Sequence, residues 1–272
     1  MIDFLIFGNG EISRCMYSYL KNDSYRIFQD QTHIKLLTKS DISPLGSVQL
    51  MNGTHTVLGY SCYNEGAIPQ TIENRWFMDR FKGLLVDKQY LKVEEWDHIK
   101  SQWSCERILA PERPLDGLGV FLPIGYKQCN SLRQEKFHVC KEGGLSPLTF
   151  IHNQSYISKD AYVGEGSIIL EHVNVQTGVK LGKSCILWSS AHIGHGSEVE
   201  DFCFISTHST VSGGCKIGHN TFIGVNVAMN ENIEIGHSNI LAPGSIITKS
   251  TKPYEVYLAG VNNKYHKRSD EI

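Results

Sequence analysis

Residues 181–216 read LGKSCI, LWSSAH, IGHGSE, VEDFCF, ISTHST and VSGGCK: six blocks of six, each opening on an aliphatic residue. The spacing extends both ways. Ile151, Ile157, Val163, Ile169 and Val175 precede the quoted stretch, and Ile217, Ile223, Met229, Ile235, Leu241 and Ile247 follow it. With aliphatic residues at about a quarter of an ordinary chain, such an unbroken run has odds on the order of one in ten billion. A period of six fits neither the helical 3.6 nor the 2 of a flat strand. It is the mark of a β-solenoid.

The rest of the block agrees. The residue two before each aliphatic is mostly small: Ser155, Ala161, Ser167, Cys185, Ala191, Ser197, Cys203, Ser209, Cys215, Thr221 and Ser245. The residue after it is often Gly, as at 164, 182, 194, 218, 224 and 236. These features describe a triangular prism. The aliphatic points inward, the small residue fits under the corner, and Gly is expected to relax the turn. Three blocks close one coil, so residues 18 apart stack in a column. Between five and six coils at about 4.8 Å give a prism roughly 25–30 Å tall.

At 272 residues the chain is long enough for two cores. Its net charge of −2 gives no electrostatic reason to expect nucleic acid or an anionic membrane as partner. No apolar run reaches spanning length, and Met1–Gly10 reads as a strand and turn, not a leader. Eight cysteines occur without a CxxC, and Cys185, Cys203 and Cys215 fall in the small-residue slot, where they are expected to act as small apolar groups. A reduced, cytoplasmic protein is the expectation.

The first 150 residues have a different rhythm. Asp3–Phe7 reads as a strand, Gly8-Asn9-Gly10 as a tight turn, and Glu11–Lys21 as a helix with Ile12, Cys15, Met16, Tyr19 and Leu20 on one face. Phe81–Val86 and Val120–Ile124 read as further strands, ending at Asp87 and at Gly125-Tyr126. Asn130–Glu142 reads as a helix stopped by Gly143-Gly144. Such units suggest a small parallel α/β domain over 1–150. Residues 29–79 exceed what a crossover needs and read as an insertion, with Val48–Met51, Asn52-Gly53 and Thr56–Tyr60 as a hairpin on a type I′ turn. The solenoid occupies 151–250. A closing segment, Tyr254–Gly260, and a charged tail complete 251–272.

Gly8-Asn9-Gly10, between strand and helix, can present backbone N–H groups to a phosphate. Position 13 is Ser, so the full dinucleotide fingerprint is not present. Among the histidines, Ile193-Gly194-His195 places an imidazole in a turn in mid-prism, and Gly213 stacks one coil away. A neutral imidazole can take a proton from an attacking amine or hydroxyl. His208, in Ser206-Thr207-His208, lies on another face, and His192 is a third candidate. His219 and His237 share a column, which raises zinc; solvent-exposed turn histidines are the plainer reading.

The six-residue pattern resembles the left-handed β-helix of the hexapeptide-repeat acyltransferases. With a small α/β domain ahead of it, the chain resembles the bacterial nucleotide-amino-sugar N-acyltransferases and the related sialic acid O-acetyltransferases. The resemblance implies an α/β N-terminal domain followed by a left-handed parallel β-helix, and a homotrimer binding acetyl-CoA or another acyl-CoA between neighbouring prisms. It further implies a UDP- or dTDP-linked amino sugar as acceptor and a place in lipopolysaccharide or glycan biosynthesis. By position in the family's motifs, Gly8, Asn9, Gly10, Glu11, Asp87, Ile124, Gly125 and Tyr126 correspond to the nucleotide-sugar site. His195 corresponds to the general base, with His208 second, and Gly213 to the oxyanion donor. The family often has Glu or His after the base; here it is Gly196. Gly224, Asn226, Ala242, Gly244 and Lys249 correspond to the coenzyme A site. Ala259 and Gly260 lie in a closing stretch like the family's Gly-Val-Pro-Ala, with Asn262 in place of Pro. No metal is expected. Rival readings are O-acetylation of a sugar by the same machinery, a zinc site like that of the prism-shaped carbonic anhydrases (whose His-x4-His pair is missing from this prism), and a scaffold without chemistry.

Overall fold

The structure, a computed structural model, describes strand residues 4–7, 25–28, 57–60 and 81–85, helical residues Ile12, Cys15, Met16 and Tyr19, and residues 119–259. The seventeen period-six residues all point into one core, and none is more than 4 % exposed. The small-residue slot is equally buried. Strands of two residues alternate with turns, and each pairs in parallel with the strand 18 positions away, as Ile168↔Ile186 and His192↔Thr210 show. Three faces result. Face 1 carries Thr149–His152, Ile168–Ile169, Ile186–Leu187, Phe204–Ile205, Phe222–Ile223, Ile240–Leu241 and Val256–Tyr257; face 2 runs from Tyr156–Ile157 to Ile246–Ile247, and face 3 from Tyr162–Val163 to Glu234–Ile235.

Two details of the turn differ from expectation. The left-handed residue is the third after the aliphatic, from Gly166 to Gly244 at every sixth position, and nine of those positions are not Gly. There the N–H reaches the carbonyl of the preceding coil, as in Gly214 N–H to His195 O at 2.9 Å. The Gly after the aliphatic has another cause, the closeness of the next coil. A Cβ on Gly194 would come within 2.5 Å of the Gly213 nitrogen, and one on Gly224 within 2.6 Å of the Pro243 nitrogen. Those glycines leave room for stacking; they do not relax a turn.

The cysteines of the small slot are also more than apolar fillers. Cys185, Cys203 and Cys215 donate their thiols to the carbonyls of Glu200, Gly218 and Asn230, 15 residues on, at 3.2, 3.3 and 3.1 Å. Ser167 and Ser197 do the same with their hydroxyls. Burial pushes the Cys203 thiol well up and raises Cys215, so both stay protonated donors.

Ahead of the prism, β1 (Phe4–Phe7), β4 (Phe81–Leu85) and β5 (Gly119–Phe121) form a parallel sheet in the order β4-β1-β5, extended by Ser146–Pro147. β5 stops before the expected Ile124 because Pro123 has no N–H to give and the Ile124 N–H turns back to Leu122 O at 2.8 Å. Helix α1 (Ser131–Glu142) begins one residue after the expected Asn130, which adopts a left-handed conformation. β3 (Val57–Tyr60) pairs with a strand not foreseen, β2 (Tyr25–Phe28), which in turn pairs antiparallel with Thr149–His152. The first coil leaves an open strand edge on face 1, and Tyr25–Phe28 satisfies its backbone groups. Residues 48–56 of the expected hairpin lie outside the described residues.

Candidate functional site

The corner between faces 2 and 3 holds His195, two residues after Ile193. Its backbone is tied on both sides: the N–H donates to Gln176 Oε1 at 2.9 Å, and the carbonyl accepts from Gly214. The exposed imidazole lies over Gly213, one coil on. A Cβ built on Gly213 would meet Nε2 at 2.6 Å and Cε1 at 2.7 Å, so no other residue fits under the ring where it stands. Gly213 gives its carbonyl to the Asn232 N–H at 2.9 Å, while its own N–H donates to no group among the described residues. An imidazole and a backbone donor without a described partner thus share one corner. Gly196 has nothing within 4 Å of a built Cβ, so no side chain there steadies the ring.

The other histidines are elsewhere. His208 is exposed in the corner between faces 1 and 2, in the left-handed position. His192 is half-buried on face 2, between Asn174 and Thr210. His219 and His237 stack in the corner between faces 3 and 1, ring centroids 4.5 Å apart and 6° from parallel, with Tyr254 edge-on below. This is packing geometry, not chelation. Beside them an open cleft of about 370 Å³ is lined by Gln134, Glu200, Asp201, Phe202 and His219. Its carboxylates already accept backbone N–H groups, Glu200 from His219 at 2.8 Å and Asp201 from Lys183 at 2.7 Å.

The residues expected to hold coenzyme A divide. Gly224, Asn226, Ala242 and Gly244 line the corner between faces 1 and 2, and Gly244 faces Ala259, whose Cβ lies 3.7 Å from a built Cβ. Exposed Lys249 stands at the corner of His195 instead. Gly260 lies outside the described residues.

Gly8, Asn9, Gly10, Glu11 and Asp87 also lie outside them. The sheet still constrains where the chain runs. β4, β1 and β5 are adjacent and parallel, so the chain leaves all three at one edge. At that edge a Cβ on Gly125 would meet the Ile12 side chain at 3.0 Å, which brings the third segment against the helix that follows the first. Tyr126 lies on face 1, 4.2 Å from the Phe222 ring and 5.7 Å from Phe204, and is still 54 % exposed.

Two features escaped the sequence reading. Gln128, Cys129 and Asn130 are three consecutive non-glycine residues at φ 53°, 50° and 63°. Left-handed backbone costs about 1–2 kcal/mol per residue, and side-chain bonds hold it here. Asn130 Nδ2 donates to Asn220 O and Thr221 O, and Cys129 Sγ to Asn220 O. Arg133 is fully buried. Its place on the helix face of Phe137 and Cys140 was the available signal.

A family model described as the GMPPB C-terminal domain matches residues 145–253. No curated protein matches the chain. Among solved structures, a perosamine N-acetyltransferase variant from Caulobacter crescentus, in complex with CoA and GDP-perosamine, is 16 % identical. That match covers 93 % of this chain and 92 % of the other, with a TM-score of 0.57. The acetyltransferase domain of PglB from Neisseria gonorrhoeae is 17 % identical over 67 % of this chain and 86 % of its own, with a TM-score of 0.53. The prism is therefore a hexapeptide-repeat left-handed β-helix, the fold that carries acetyltransferases in those two structures.

Proposed function

We propose that the chain is an acyl-CoA-dependent N-acyltransferase whose acceptor is a nucleotide-linked amino sugar. The observation that carries this is the corner in which the His195 imidazole lies over Gly213, whose N–H has no partner among the described residues. Acyl transfer needs both parts. The sugar amine attacks the thioester carbonyl carbon, and the new C–N bond forms as His195 takes the amine proton. The Gly213 N–H faces the negative charge that develops on the carbonyl oxygen. The C–S bond then breaks, the proton passes from the imidazole to the sulfur, and amide and thiol leave. His208 is the second candidate for the base.

The division of the chain supports the reading. The edge where β4, β1 and β5 end would take the nucleotide through Gly8–Glu11, Asp87 and Ile124–Tyr126. The corner with Gly224, Asn226, Ala242, Gly244 and Ala259 would take coenzyme A. In one protomer that corner is not the corner of His195. A homotrimer, which sets corners of neighbouring prisms together, completes the site. CoA and GDP-perosamine in the Caulobacter structure, which has the same fold, favour this pairing of substrates.

The test is thiol release from acetyl-CoA and longer acyl-CoAs against UDP-, dTDP- and GDP-linked amino sugars. Turnover with an amino sugar, and none with its hydroxyl counterpart, is expected. Turnover with the hydroxyl sugar alone makes the enzyme an O-acyltransferase; no thiol release with any pair overturns acyl transfer.

A further inference from the structure

Arg133 is the largest fully buried side chain among the described residues. Burial lowers its pKa to about 10, and among the described residues no carboxylate pairs with it. Its partners are oxygens of two separate parts of the molecule. Nε donates to Ser184 O at 2.9 Å, and Nη2 to Phe202 O and Cys203 O at 2.6 and 3.1 Å, all in the prism. Nη1 donates to Ile124 O at 2.9 Å and Asn130 Oδ1 at 3.0 Å, on the segment between β5 and α1. Asn130 then reaches two further prism carbonyls, and Tyr126 lies on Phe222.

An apolar side chain could pack α1 against the prism without burying a cation, though it would leave these oxygens without their donor. What an apolar residue cannot do is fix an orientation. The guanidinium is a rigid planar fork, and here it bonds both bodies at once. The strained run Gln128–Asn130 points the same way, because its conformation is held by bonds to the prism and not by its own preference.

We propose that Arg133 is a positioning residue: it clamps the turn Ile124–Tyr126 to the prism and so sets where a nucleotide-linked substrate lies relative to the acyl site. The inference rests on the acyltransferase reading for its second half only. It acts through Ile124 and Asn130, and Arg133 itself touches no substrate.

The test uses the full chain, with Arg133→Met, Arg133→Lys and Asn130→Ala. Hydrogen exchange reads the amides of residues 122–130 against those of the prism. In Arg133→Met the segment should exchange about tenfold faster or more, while residues 151–247 keep their protection. The KM for the nucleotide sugar should rise about tenfold or more, with kcat and the KM for acyl-CoA within about twofold, because a misplaced turn weakens one substrate only. Arg133→Lys, which keeps charge but not the fork, should fall between. Asn130→Ala should move the same readouts and decides the matter if Arg133→Met does not fold. Unchanged exchange in 122–130, equal loss of both substrates, or lowered melting with an unchanged nucleotide-sugar KM overturns the clamp. Wild-type protein that releases no thiol overturns acyl transfer instead; the exchange arm and calorimetric binding of UDP, dTDP and GDP then decide the clamp without turnover.

Discussion

Two corners of the prism are built on the same triplet and end in opposite states. Ile193-Gly194-His195 turns from face 2 to face 3; Ile217-Gly218-His219 turns from face 3 to face 1. In both, Gly follows the aliphatic because the next coil passes too close for a Cβ. The histidines differ by what stands 18 residues on. Under His195 it is Gly213, which has no side chain to set against the ring, so the imidazole lies directly over backbone. Under His219 it is His237, which stacks on the ring, while Tyr254 closes the column. The triplet makes the turn. The residue one coil away decides whether the imidazole lies over bare backbone or against a second imidazole.

The two corners share a foundation, so the largest effect should not distinguish them. Val211→Asp lies beneath Gly213 and Ile217→Asp beneath His219, both fully buried. An unpaired carboxylate there costs several kcal/mol, a large part of the roughly 5–15 kcal/mol that holds a domain together. Both variants should lose the solenoid, read as loss of β-sheet circular dichroism. A folded variant with unchanged melting at either site would overturn the inward assignment for that corner.

The next effect should separate them. His195→Asn should keep the fold and cut kcat by about 10²–10⁴, the usual contribution of a positioned base. His219→Asn and His237→Asn should leave kcat within about twofold. If His208→Asn abolishes turnover while His195→Asn does not, the base is in the corner between faces 1 and 2.

Much of this contrast is legible in the sequence. The period places Gly213 under His195 and His237 under His219, and the structure has both columns. The period does not carry the reason for each Gly. A short turn and a close backbone approach both select Gly, and only coordinates tell a left-handed φ at Gly196 from a crowded Gly194. Nor does it carry the strands that cover the first coil, because Tyr25–Phe28 pairs across more than a hundred residues. The clamp of Arg133 was hidden for a similar reason. Its partners are mostly backbone carbonyls, which every residue offers and no motif announces.

Gly213→Ala tests the contact that sets His195 apart. The added methyl would sit where the imidazole edge now lies, 2.6 Å from Nε2, so the ring must turn away while the N–H remains. A misplacement of about 1 Å can cost about 10²-fold, and turnover should fall by about that factor. The melting temperature should hardly move, since the ring is exposed and can swing outward. Full activity in Gly213→Ala would mean that the imidazole position over Gly213 is incidental.

The smallest expected effect lies under the corners and compares their thiols. Cys215 sits below the corner of His195 and donates to Asn230 O; Cys203 sits below the corner of His219 and donates to Gly218 O. Size does not demand cysteine in this slot, because Val173, Val179 and Val227 fill it in other coils and are as well buried. Cys→Val therefore isolates the hydrogen bond. It leaves one carbonyl without its donor and should cost about 0.5–1.5 kcal/mol at either site. Cys→Ser should be close to neutral, since Ser197 makes the same bond in the same slot at 2.9 Å. Cys203 carries a further consequence. Its carbonyl accepts from Arg133, so any shift of its backbone reaches the clamp. Cys203→Val should then speed exchange in residues 122–130 slightly, and Cys215→Val should not. Equal exchange in the two variants would show that the corner under His219 is no more strongly tied to the clamp than the corner under His195.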